Sequence, residues 1–284
     1  MIKTILIPGG TGFIGSHLLP SLLTNRYKVI VVKRKFSDLT RIKKFIPQIK
    51  IYDIDECNLA LPFQKNKIDL VINLAVDQGK NKNSLPSQIM DTNIVFALRL
   101  IEKCCAFKIK YYFNFDSALN DNINLYAYSK HVLYSLLKKY SLCPIKIFNL
   151  ELQYVYGKND DPKKFIPFAI DKLRSNKVIK MTQGKQNLDF IYIKDCVDAI
   201  LHLIQNCQKF KKIFEEFQIG TGKTMFLKNL VKIIKNNLHS HSRIIYGAVP
   251  YRQNEQMFSR ANIKKLKGWK PKYKPEDVDF KNFT

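Results

Sequence analysis

The sequence lacks any apolar run approaching the roughly 20 residues that a helix needs to cross a bilayer. Its first residues, MIKTILIPGG, lack both the apolar stretch and the small-residue cleavage site of a secretory leader. A cytoplasmic protein with no membrane partner is therefore expected. No CxxC pair is present, and the six cysteines (57, 104, 105, 143, 196 and 207) show no metal-like spacing with the five histidines. Reduced core or surface thiols, and no metal site, are the expectation for a chain of this size. Internal repeats and low-complexity linkers are also missing. Acidic residues are scarce, 23 against 48 lysines and arginines, which leaves a net charge of +25. An excess of that size suits nucleic acid or an anionic surface. Here the basic residues are spread from Lys33-Arg34-Lys35 to Lys264-Lys265, and Lys, Asn and Ile are abundant together, which reads as biased composition and not as a patch. Nucleic acid is not the expected partner; a small anionic substrate would be drawn by the same field.

What is present is ordinary for a globular chain: 284 residues, 46% hydrophobic and 25% charged. That length holds one large core, or a large domain with a smaller one. Apolar runs at 3–8, 28–32, 69–75, 110–115 and 144–150 alternate with helix-like stretches at 16–25, 92–107 and 127–140. Continuous apolar strands separated by helices predict a parallel sheet covered on both faces, the doubly wound α/β arrangement of Rossmann type. Beyond about residue 150 the pattern loosens into a helix-like 165–176, strands near 189–193 and 214–220, and a tail at 268–280 with two prolines. The expected division is a dinucleotide-binding domain over 1–153 with later sheet elements from about 186–222, and a smaller substrate-binding lobe over 154–185 and 223–284.

PGGTGFIGSHL (8–18) sets Gly9, Gly12 and Gly15 at three-residue spacing between a strand and an amphipathic helix. Glycine permits the tight turn and close backbone approach, and the helix N-terminus offers N–H groups to a pyrophosphate. A dinucleotide site is expected there, with Phe13 and Ile14 in the same loop. At the end of the second strand, an acid would bind a ribose 2′-OH, whereas Arg or Lys accommodates a 2′-phosphate. VVKRKFSD offers Lys33 and Arg34 and no acid before Asp38, which favours NADPH over NADH. Asp53, after the next strand, is a candidate for the adenine or for a simple turn.

Tyr126 and Lys130 are four residues apart at the start of a helix and so share a face. A neighbouring ammonium favours the phenolate, so Lys130 is expected to bring Tyr126 from about 10 towards the working range, where it can exchange a proton with a carbonyl or alcohol. YxxxK alone is common, and the glycine loop gives it weight.

Taken in order, GGTGFIGSHL, VINLA (71–75), DTN (91–93), Tyr126-x-x-x-Lys130, FNL (148–150), LDFIYIKDCVDAI (188–200), FQIGTGK (217–223) and VPYRQNEQ (249–256) resemble the extended short-chain dehydrogenase/reductase family, nearly end to end. KRKFSDLTRI (33–42) and NFDSALNDNINLYAYSK (114–130) are most similar to the CDP-abequose/CDP-paratose synthase type within it. The resemblance implies an NADPH-dependent reductase of the C4 keto group of a nucleotide-linked deoxysugar, used in surface-polysaccharide sugar biosynthesis, with a nucleotide-sugar 4-epimerase as the alternative. It further implies Tyr126 as proton donor, Lys130 on the nicotinamide ribose, and Leu74 and Ala75 beside that ribose. DTN would carry a structural asparagine. Asn149 and Arg252 would lie on the substrate diphosphate, and a homodimer would form through the helices near 92–107 and 127–140. A 4,6-dehydratase fits less well, because its Asp-Glu pair would fall on Asp116 and Ser117.

One group departs from the family pattern. The usual strand-end Ser or Thr falls on Phe115, and the nearest hydroxyl is Ser117, two residues on. Either Ser117 serves in a rearranged loop, or Tyr126 works alone and Ser117 caps a turn. A protein that kept the fold and lost the chemistry, a dinucleotide-binding sensor, is the remaining alternative.

Overall fold

A computed structural model describes residues 2–79, 85–140 and 143–283. Two compact units are present: Met1–Glu151 with Ile200–Phe217, and Leu152–Ala199 with Gln218–Thr284.

In the first unit the apolar runs become strands β1 (Thr4–Pro8), β2 (Lys28–Lys33), β3 (Lys50–Asp53), β4 (Leu70–Asn73), β5 (Tyr111–Ser117) and β6 (Lys146–Leu152). Together with Phe214–Ile219 they form a seven-stranded sheet in the order Phe214–Ile219, β6, β5, β4, β1, β2, β3. The pairs β1/β2, β1/β4, β2/β3 and β4/β5 are parallel. The expected doubly wound sheet is thus present, with its strand order reversing between β1 and β4, where this architecture places its ligands. Ile5, Leu6, Ile7, Val71 and Ile72 are fully buried because both faces of the sheet are covered.

Helices α1 (Phe13–Thr24), α2 (Leu61–Lys65), α3 (Pro86–Met90), α4 (Phe96–Ala106) and α5 (Leu125–Lys138) supply the cover. A π turn, Asp91–Val95, joins α3 to α4. Leu100, Ile101 and Cys104 of α4 and Leu133 and Leu137 of α5 pack into one cluster with Tyr112 of β5 and Ile147 of β6. Two boundaries matter for the site. Helix α1 begins at Phe13, three residues before the apolar stretch suggests, so it starts directly at the glycine loop. Strand β5 runs past the apolar Phe115 to Ser117, because backbone pairing, not side-chain polarity, defines a strand.

The second unit has its own core of Tyr156, Ile170, Leu173, Ile179, Met181, Leu230 and Phe280. Residues 186–199 and 220–222 group with this unit, whereas Phe214–Ile219, from the same stretch of sequence, pairs into the main sheet. Asp189 shows why: its carboxylate accepts the N–H groups of Thr221, Gly222 and Ala261.

The expectation of reduced thiols fails for one pair. Cys105, near the end of α4, is disulfide-bonded to Cys143, just before β6, while Cys57, Cys104, Cys196 and Cys207 are free. Their separation of 38 residues carries no motif. Only the folding of α4, β5 and α5 into neighbouring layers brings the two together.

Candidate active site

The glycine loop is built for close approach. Gly9 has φ +74°, a left-handed conformation, and a Cβ there would lie 2.5 Å from the Ala75 nitrogen and the Leu74 carbonyl carbon. The backbone of Leu74–Ala75 therefore lies on the loop, held by Leu74 N–H to the Pro8 carbonyl at 2.9 Å and Ala75 N–H to Asn73 Oδ1 at 3.3 Å. A Cβ on Gly15 would meet the Gly10 oxygen at 2.5 Å, so α1 sits against the loop only because residue 15 has no side chain. Gly12 is the N-cap of α1 and supplies no side-chain cap, which leaves the positive end of the helix dipole to an anion. The glycines thus pack the loop closely against Leu74–Ala75 and against α1, and the uncapped helix N-terminus carrying Gly12, Phe13, Ile14 and Gly15 fits a dinucleotide pyrophosphate.

At the far end of the loop region the two basic candidates separate. Lys33 Nζ forms an ion pair with Asp53 Oδ2 across the β2/β3 register at 2.5 Å. That contact, ahead of all others, holds the Asp53 carboxyl below its ordinary value. The other Asp53 oxygen accepts the Asp55 N–H. Lys33 and Asp53 therefore satisfy each other. Arg34 is exposed; its backbone N–H donates to the Ser37 hydroxyl.

The residues expected to transfer the proton lie on β5 and α5. Asn124 caps α5 by accepting the Ala127 N–H at 2.9 Å, which fixes Tyr126 and Lys130 in its first turns. Ser129, fully buried, donates to the Tyr126 carbonyl at 2.7 Å and accepts from Asn93 Nδ2 at 2.8 Å. Asn93 also exchanges two hydrogen bonds with the Asp77 backbone. The asparagine of DTN thus ties the segment after β4 to the backbone of Tyr126, the structural role expected of it.

Ser117 ends β5, and its hydroxyl is the group that acts to lower the Tyr126 phenol. It also accepts the Leu119 N–H at 3.3 Å. Phe115 is buried at 5% exposure and belongs to the apolar side of the strand, its parity shared with Phe113, which packs on Phe148. Ser117, of the same strand parity, is the nearest hydroxyl beyond it on β5.

Electrostatics correct one expectation. Burial pushes the Tyr126 phenol up to about 12; the Ser117 hydroxyl opposes this and the Asp116 charge adds to it. The direction is thus opposite to the one expected from a neighbouring ammonium, because burial disfavours the phenolate. Lys130 itself, 4% exposed, is held below its ordinary value by burial, with Asp116 opposing.

Asn149 is placed differently from a free diphosphate ligand. At 3% exposure, it accepts from Asn114 Nδ2 at 2.7 Å and donates to Asp116 Oδ2 at 3.1 Å. Asn114 and Asp116 are not singled out as binding or catalytic residues by sequence reasoning; the available signal is the alternation of polar with apolar residues at the end of the strand, Asn114-Phe115-Asp116. Arg252 lies in the second unit, exposed, with its backbone N–H directed to Glu255. Among the described residues no group of three or more His, Cys, Asp or Glu could hold a metal ion.

Comparison with known proteins gives the family. The family model described as "NAD dependent epimerase/dehydratase family" matches residues 5–220. A CDP-abequose synthase of Salmonella muenchen is 34% identical over 96% of this chain and 94% of that protein. Another from Salmonella typhimurium is 30% identical over 95% and 93%. Among solved structures, a UDP-glucose 4-epimerase of Stenotrophomonas maltophila with bound NAD and formylated UDP-arabinopyranose superposes with a TM-score of 0.87 at 17% identity, covering 100% of this chain and 97% of that one. The Thermotoga maritima UDP-glucose 4-epimerase with UDP-glucose gives 0.84 at 23%, covering 99% and 97%. With a family match over most of its length and relatives aligned nearly end to end, the chain belongs to the NAD dependent epimerase/dehydratase family.

Proposed function

We propose that the protein is an NADPH-dependent reductase of the C4 keto group of a nucleotide-linked deoxysugar, with CDP as the nucleotide. The observation that carries this reading is Tyr126 and the buried Lys130 in the first turns of α5, capped by Asn124, with Ser117 at the end of β5 and the phenol held protonated by burial. A reductase needs a proton donor, and a tyrosine at about 12 arrives at neutral pH with its proton in place. The two CDP-abequose synthases, aligned across 95–96% of this chain, support the choice of nucleotide and of reaction.

The Gly9–Gly15 loop and the N-terminus of α1 would hold the dinucleotide, which when bound would supply the hydride. Tyr126 gives its phenolic proton to the C4 oxygen, and Ser117 stabilises the phenolate that this leaves. Lys130 offers a cation to the same phenolate and to the nicotinamide ribose. Arg34 takes the 2′-phosphate, since Lys33 is already paired with Asp53. Arg252 is assigned to the substrate diphosphate by its forked donors. We assign Asn149 an indirect part, through Asp116.

The protein is proposed to work in the cytoplasm, in surface-polysaccharide sugar biosynthesis; among the described residues no helix is long and apolar enough to cross a membrane. Phe107 after α4, and Tyr128 and Leu136 on α5, are exposed, which supports a homodimer through that face.

The test is incubation with NADPH and a panel of CDP-, GDP-, dTDP- and UDP-linked 4-keto deoxysugars, followed at the reduced-nicotinamide absorbance band. Oxidation with the CDP-linked member, lost in Tyr126→Phe while cofactor binding persists, is expected. Cofactor binding with no oxidation by any member refutes the reading.

A further inference from the structure

We propose that Gln186 is a positioning residue for the substrate: through Glu255 it holds the turn from which Arg252 meets the diphosphate. The proposal rests on the assignment of Arg252 to that diphosphate.

Arg252 opens a turn, Arg252–Glu255, that is closed from both directions. The Glu255 N–H donates to the Arg252 carbonyl at 3.1 Å, and the Arg252 N–H donates back to Glu255 Oε2 at 3.4 Å. Both polar groups of the Arg252 backbone are thus engaged, while the residue itself stays exposed. Arg34, the other arginine assigned to a phosphate, opens a turn closed in the same way. Its N–H donates to Ser37 Oγ at 3.1 Å, and its carbonyl accepts the Ser37 N–H at 3.0 Å. A fixed backbone under a long basic side chain lowers the ordering cost of gripping an anion.

The Arg252 turn is fastened to residues 185–187 at successive points. The Lys185 N–H donates to the Tyr251 hydroxyl at 3.0 Å, Gln186 Nε2 to Glu255 Oε1 at 3.1 Å, and the Asn187 N–H to the Met257 carbonyl at 2.8 Å. The middle contact bears on the turn itself, and its donor is a side chain only 3% exposed. Gln186 Oε1 accepts the Thr182 hydroxyl at 3.4 Å, and the Gln186 carbonyl accepts the Leu227 N–H at 2.9 Å. That sets the amide, because a flipped Gln186 would turn Oε1 towards the Glu255 carboxylate, acceptor to acceptor. Glu255 therefore has one oxygen on Gln186 and the other on Arg252. By charge alone, a carboxylate three residues from an anion-binding arginine would repel the diphosphate. Its two hydrogen bonds account for its place: the carboxylate joins the buried amide to the backbone of Arg252.

The experiment uses the whole protein and CDP, with binding read by calorimetry, so no keto sugar is needed. Gln186→Leu is expected to weaken CDP about fivefold while NADPH affinity stays within about twofold. Arg252→Ala is expected to weaken CDP about tenfold, and adding Gln186→Leu to it should then change Kd by less than about twofold, since both act through one contact. Glu255→Ala gives a second reading should Gln186→Leu not fold. Removing a negative charge beside an anion site would tighten CDP, whereas loosening the turn weakens it, and weakening of about threefold or more is expected. In turnover the Gln186→Leu effect should fall on KM for the keto sugar, with kcat little changed. A full Gln186→Leu effect in the Arg252→Ala background overturns the proposal, as does CDP affinity that is unmoved or tightened in Glu255→Ala. Arg252→Ala binding CDP as the parent does overturns the assignment of Arg252, and the proposal with it. Coupling of Gln186 to Arg252 in CDP binding, without turnover of any keto sugar, supports the proposal and overturns only the reductase reading.

Discussion

Ser117→Ala removes the hydroxyl proposed to stand in for the missing strand-end group, and its effects on folding and on rate should separate. In the folded protein the change costs little. The Leu119 N–H loses a 3.3 Å acceptor but is partly exposed, so water replaces it, and the loss is about 0.5–1.5 kcal/mol. For a chain of this size that is a fall in Tm of only a few degrees. The rate effect is larger, because Tyr126 passes from neutral phenol to phenolate as it gives up its proton. A hydrogen bond to a charged group is worth roughly 1.5–3 kcal/mol, so kcat should fall by about 10- to 150-fold. The sign of the pH effect follows from the environment. Ser117 is the group that lowers the phenol from where burial would hold it, so removing it raises a value already at about 12. No new loss of activity should appear between pH 7 and 9; the profile drops without shifting. Saturating NADPH and keto sugar, with stopped-flow or steady-state oxidation and a thermal melt, give both numbers. Ser117→Thr should retain most of the rate. A Ser117→Ala rate within twofold of the parent refutes the role of this hydroxyl, and a melt lowered by 10 °C or more would reassign it to structure.

Three further outcomes are expected. Arg34→Ala should weaken NADPH about tenfold and leave NADH unchanged, whereas Lys33→Ala should change NADPH less, because Lys33 is paired with Asp53; paired binding titrations check this. Gly15→Ala should lower NADPH affinity at least tenfold, since its Cβ would lie 2.5 Å from the Gly10 oxygen and must push α1 off the loop; fluorescence titration of the cofactor reads it. Removing the Cys105–Cys143 bond by Cys143→Ser frees a loop closed across 38 residues, worth about 4 kcal/mol by chain entropy and a Tm fall of roughly 10 °C. The same melt with and without reductant, together with the mass of the intact chain, shows whether the bond is formed.

Much of the fold was legible because its signals are local. Continuous apolar strands, and glycines at positions 9, 12 and 15 between strand and helix, are physical requirements that repeat within a few residues. The site was legible where its partners sit on one helix, as Tyr126 and Lys130 do. It was hidden where partners come from different strands. Asn114 and Asn149 are 35 residues apart and meet only because β5 and β6 are neighbours in the sheet. Lys33 reads as a free cation in sequence because Asp53 lies 20 residues on, across the β2/β3 register. Phe115 reads as a lesion because the apolar run ends there, while the strand continues to a hydroxyl at Ser117. The direction in which the Tyr126 phenol shifts is hidden because a neighbouring lysine is visible in sequence and burial is not.

Net hydride transfer to C4 distinguishes a reductase from a 4-epimerase on the same scaffold. The protein should be given NADPH deuterated at the transferable C4 position of the nicotinamide, together with a CDP-linked 4-keto deoxysugar, and the product examined by mass spectrometry and NMR. The expected result is one deuterium at sugar C4 for each NADP⁺ formed, abolished in Tyr126→Phe. Interconversion of C4 epimers of a nucleotide sugar with no net cofactor oxidation and no label retained would contradict it.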